Sequence, residues 1–159
     1  MELLIPQDIS RKGLYSAQVV LANSVISFFY KYYVSSALIF MLYITTLIHW
    51  NKIYKKSLVK TLDIILAVSS IISVTFRDSR RFTPKYATLW YTTITISIIA
   101  FILNECLLYY RLSIPQMREK RYIYDTSVNI HILFLHILLN TTCMLCVIGS
   151  SVTYITKTT

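Results

Sequence analysis

Four long apolar stretches organise this chain: residues 32–50, 58–76, 86–110 and 127–155. Each is long enough, at a rise of about 1.5 Å per helical residue, to cross the ~30 Å apolar layer of a bilayer. Aromatic residues stand at their edges. Tyr32 and Tyr33 open the first stretch, Trp50 closes it, and Tyr109-Tyr110 ends the third, as interfacial belts do. The preceding stretch, 14–30, is apolar but interrupted by Gln18, Asn23 and Ser27. It reads as an amphipathic helix lying in the interface or leading into the first span, with a short fifth span as the alternative.

The links 51–57, 77–85 and 111–126 are short, so consecutive helices are antiparallel neighbours in one integral membrane domain covering 1–159. Thr83-Pro84 supplies an N-cap and first helical position for the third span, and Asp125-Thr126-Ser127 supplies caps for the fourth. The fourth exceeds the bilayer thickness and is expected to tilt or protrude. Ser69 and Ser73, and Thr93 and Ser97, are spaced i,i+4 and read as small-residue packing faces. The expected fold is an all-α polytopic transmembrane bundle.

Composition narrows this further. With 55% hydrophobic residues, two glycines and three prolines, the chain lacks the turn residues of a β architecture. Its net charge of +9 lies just outside the apolar spans rather than in a nucleic-acid-binding motif. Arg77, Arg80, Arg81 and Lys85 therefore read as contacts to anionic lipid headgroups. With four spans, the basic residues divide eight against eight between the two sides, which leaves orientation open. Cys106, Cys143 and Cys146 fall inside apolar stretches, where Cys143-x-x-Cys146 reads as packing rather than a metal or redox motif. The opening residues do not have the basic-then-apolar pattern of a secretory signal.

Ionisable residues inside the spans concentrate on one side. His49 closes the first span, Asp63 opens the second, and Glu105 lies near the end of the third. His131 and His136 lie in the opening half of the fourth. Because successive spans alternate in direction, all five reach one leaflet, and charged groups there persist when paired or functional. The three histidines are the whole histidine content. Three imidazoles with an open fourth position are a usual ligand set for catalytic zinc, with a carboxylate, Asp63 or Glu105, to activate bound water. One geometric condition applies. Positions five apart on a straight α-helix are rotated by about 140°, so His131 and His136 share a ligand only across a π-bulge. A structural reading stands beside this one, with His49 beside Trp50 at the interface, Asp63 paired to Lys60, and Glu105 paired to Arg111.

Thr45-x-x-x-His49, Asp63 early in the next helix and a histidine pair in the last together resemble the alkaline ceramidase and progestin-receptor-like superfamily of membrane hydrolases. The resemblance implies zinc held by His49, His131 and His136, with Thr45 at the family's serine position, Asp63 at its aspartate, and lipid amides as substrates. Threonine replaces that serine, the last histidines are five rather than four apart, and four spans replace seven.

Two functions follow from these readings. One is a non-catalytic subunit or assembly component of a membrane complex, whose polar residues satisfy one another or a neighbour's helix. The other is a zinc-dependent hydrolase of lipid amides or esters.

Overall fold

A computed structural model describes residues 6–51, 58–114, 116 and 120–158, with side chains to Thr153. It is an all-helical bundle: α1 Gln7–Phe29, α2 Tyr33–Asn51, α3 Leu58–Phe76, a 3-10 turn Asp78–Arg81, and α4 Pro84–Ser113. A last helix follows in three parts, α5 Arg121–His131, a π-helix Ile132–Leu138, and α6 Leu139–Thr158. Four helices are long and apolar enough to cross a membrane: Tyr33–Asn51, Leu58–Arg81, Pro84–Ser113 and Arg121–Thr153. These are the four spans expected from the sequence. The helices alternate in direction, so the bundle has a lower end, holding Gln7, Asn51, Leu58, Ser113 and Arg121, and an upper end, holding Phe29, Tyr33, Phe76 and Pro84.

α1 packs as a fifth helix of the bundle, the second of the two readings of 14–30. It begins seven residues earlier than expected and runs antiparallel to α2 along its whole length, about 34 Å for 23 residues. Near the top, Ser24 and Ser36 each donate a hydroxyl to the other's carbonyl at 2.9 Å. Near the bottom, Trp50 lies against Gly13, where an added Cβ would come within 2.1 Å of the indole. The physical reason is a stripe of small and polar residues, Ser10, Gly13, Ser16, Ala17, Val20, Asn23, Ser24 and Ser27, all buried. Spaced three and four apart, they make one helix face on which backbones approach closely. The polar residues that interrupt hydropathy are the packing face.

Consequently the N-terminal cations change ends. Lys12 pairs with Asp125 at 2.6 Å, and Arg121 with Asp8. Arg11 and Lys12 thus belong with the lower end, beside Lys60, Arg111, Lys120 and Arg121 among the described residues. Lys52, Lys55, Lys56 and Arg118 of the sequence count lie outside the described residues. Asp125 is also not a cap, because α5 starts earlier, at Arg121 after Lys120. Thr83 does precede Pro84 at the start of α4, without a side-chain cap bond.

The aromatic belt is divided. Tyr33, Tyr109 and Tyr110 are exposed, whereas Tyr32 and Trp50 are each only 3% exposed and belong to the core. Tyr32 packs with Phe82, Trp90, Cys143, Cys146 and Val147 in the upper core. Trp90 donates to Thr75 at 3.1 Å, tying α4 to α3, and Asn23 donates to Asn140 at 2.8 Å, tying α1 to α6. Ser97 is fully buried against the last helix, and Ser73 bonds Ser35 at 2.8 Å, so both small-residue faces are packing faces. Between α1 and α2 the chain turns at Lys31, which has φ 64°. Its N–H meets the Phe28 carbonyl and the Tyr32 N–H meets the Ser27 carbonyl, closing α1 in a Schellman arrangement that ordinarily takes glycine. A side chain there costs about 1–2 kcal/mol.

Candidate functional site

The lower end gathers most of the residues singled out above. Trp50, near the C-terminus of α2, is the hub. Its ring centroid is 5.3 Å from His131, 5.7 Å from His136 and 5.8 Å from His49, all edge-on. Ile9, Leu14, Tyr124, Val128 and Ile132 complete its surroundings. Gly13 makes the seat, since any side chain there would displace the indole. The indole N–H is buried without a hydrogen-bond partner among the described residues, a state that costs about 1–3 kcal/mol.

The π-helix meets the geometric condition set by the sequence. Its extra residue per turn brings His131 and His136 onto one face, with ring centroids 5.3 Å apart. Side chains from two neighbours support the irregular backbone. Ser97 donates to the Phe134 carbonyl at 3.3 Å, and Asn140 donates to the Leu135 carbonyl at 2.9 Å. His136 is buried and its Nδ1 lies 2.7 Å from the Ser16 hydroxyl, which donates to the Gly13 carbonyl at 3.0 Å. The Ser16 hydroxyl thus joins the His136 ring to the α1 backbone, whichever of the two holds the proton between them.

Asp63 takes a different partner from the one expected. Its Oδ1 accepts from Thr46 at 2.8 Å and from Thr45 at 3.0 Å across the α2–α3 interface, and it makes no ion pair with Lys60. Thr45, the residue at the serine position of the resemblance, therefore does touch the aspartate. Half-buried His49 lies on the same stretch of α2. Glu105 departs altogether. It is exposed on the outer face of α4, while its neighbour Asn104 turns inward and donates to the Ser127 hydroxyl at 3.0 Å. One residue of helix, about 100° of rotation, separates the two fates. Glu105 and Arg111 form no ion pair among the described residues.

The three-imidazole set does not form as the sequence implied. Among the described residues no three histidine, cysteine, aspartate or glutamate side chains stand where one metal ion would join them. Trp50 is in ring contact with all three histidines, and only His131 and His136 are in ring contact with each other. The donor set as arranged does not fit a three-ligand zinc ion. Cys143 and Cys146 are free, buried thiols, and Cys146 bonds the Tyr86 carbonyl at 3.2 Å.

At the upper end, the four expected headgroup cations diverge. Arg77 and Arg80 are exposed. Arg81 turns back to donate to the Lys31 carbonyl at 3.1 Å, with its guanidinium 4.0 Å over the Tyr32 ring. Lys85 lies 6.0 Å over Tyr86.

Sequence reasoning missed Gly13, Ser16 and Thr46. The spacing of small residues along α1 was the available signal for the first two. No family model, no curated protein and no solved structure matches this chain.

Proposed function

We propose that this chain is a non-catalytic component of a larger membrane assembly and meets its partner along the lower half of α4. The observation that carries this reading is Glu105. A carboxylate about five residues inside Tyr110, roughly 7 Å by helical rise, faces outward among exposed Ile102, Leu103 and Leu107. No residue of its own chain pairs with it among the described residues. Charged groups at such depth are retained where a partner supplies the counter-charge or a hydrogen-bond donor. Other polar groups of the helices are matched inside the bundle: Asn23 with Asn140, Asp63 with Thr45 and Thr46, Asn104 with Ser127.

The test is a photo-reactive residue at position 103 or 107, cross-linked in native membranes and followed by Glu105→Leu. Expected is a discrete adduct from these positions, absent from position 65 on α3 and lost with Glu105→Leu. Protein that migrates at monomer size and forms the same adducts with or without Glu105 overturns the reading.

A further inference from the structure

A second feature of the molecule lies at the opposite end from the histidines. A cavity of about 680 Å³ opens between the α1–α2 turn, the 3-10 turn leading into α4, and the upper part of α6. Three cations line it, Lys31, Arg80 and Arg81, drawn from two segments some fifty residues apart. Arg81 is structural, held on the Lys31 carbonyl and the Tyr32 ring. The acid of that turn, Asp78, is buried and faces Ser35, Arg77 and Arg81. Lys31 and Arg80 remain: both are exposed, and among the described residues neither side chain has a hydrogen-bond or ion-pair partner.

A buried hydroxyl completes the cavity. Ser150 is only 3% exposed and lines it, and its oxygen already accepts the Thr83 N–H at 3.1 Å. The proton of that hydroxyl has no acceptor among the described residues. Its neighbours Ser151 and Thr153 donate to the carbonyls of Val147 and Gly149 and have no proton left to give. Two unpaired cations and one free O–H donor therefore meet where, among the described residues, no carboxylate lines the wall. That set matches a phosphate group. Beside it, Phe29 is 75% exposed and faces outward at the level where the spans end. An aromatic surface next to a basic cavity fits acyl chain below headgroup.

We propose that this cavity binds the phosphate of an anionic membrane lipid, with Lys31 and Arg80 supplying charge, Ser150 donating a hydrogen bond, and Phe29 contacting the lipid's acyl region. The backbone at Lys31 makes the proposal separable from folding. Its left-handed conformation suits glycine better than lysine, so Lys31→Gly removes the cation while relaxing the turn.

The experiment uses the full chain in non-ionic detergent. Native mass spectrometry reads retention of phosphatidylglycerol against phosphatidylcholine, and inorganic phosphate is added as a competitor. Expected is a preference for phosphatidylglycerol of about tenfold or more, as two interfacial charges confer. The double variant Lys31→Gly/Arg80→Gln abolishes the preference without lowering thermal stability. A control at the lower end, Lys60→Gln/Arg111→Gln, keeps it. Equal retention of the two lipids, or an unchanged preference in the double variant, overturns the proposal. Displacement by millimolar inorganic phosphate does so as well, because it makes the cavity a site for a free anion.

Discussion

α1 and α3 are neighbours of the same helix, α2, and they use it in opposite ways. α1 is interrupted by glutamine, asparagine and serines, and nine of its residues are buried. α3 is almost continuously apolar between Ile64 and Ile72, and only Ser70 and Val74 are buried. In water the ranking would be reversed, since burial follows apolarity. In a bilayer lipid solvates leucine as well as a neighbouring helix does, so small size and hydrogen bonding decide which face turns inward. α1 is packed because of its polar residues, and α3 is lipid-facing because of its apolar ones.

The comparison can be broken at its strongest point. Trp50→Ala empties the hub between α1, α2 and α5 and is expected to cost about 3–5 kcal/mol, read from unfolding in detergent. Gly13→Ala should cost about 1–3 kcal/mol by overpacking against the same ring. The double variant should lose less than the sum, since both changes act on one contact. Asn23→Leu removes the tie to Asn140 and is expected to cost about 0.6 kcal/mol, and at most about 1.7. Ile65→Ala on the outer face of α3 should stay within about 0.5 kcal/mol. A lipid-permeant maleimide sharpens the same contrast without mutation. Exposed Cys106 should label readily in the folded protein, and buried Cys143 and Cys146 should label only on unfolding.

Much of this architecture was legible in the residue pattern, because spans, links and helix directions follow from length and apolarity. The convergence of His49, His131 and His136 near one end was legible too, since alternation of direction fixes depth. Rotation about each helix axis was not. Glu105 and Asn104 lie at the same depth, and which of them points inward depends on whether Ser127 of the next helix is in reach. Trp50 was read as a belt residue for the same reason: interfacial depth and burial coincide at a helix end, and only the small residue at position 13 distinguishes them. The side-chain partner of Asp63 lies on another helix, so a local partner such as Lys60 was the nearest available in sequence.

The π-helix holds a further consequence, for how this chain tolerates insertions and deletions. A stretch that closes each turn with one residue too many shifts the phase of everything after it. The inward positions of α6, Leu139, Cys143, Cys146 and Val147, are therefore out of step with those of α5, Ile123, Ser127 and Val128, when one wheel is drawn through both. Shortening the helix by a single residue between His131 and His136 would convert this segment to ordinary α geometry and leave the histidines four residues apart. Elsewhere in a packed helix the same deletion turns every later side chain away from its neighbours. Here it is the one edit of that kind for which the local backbone already holds the slack.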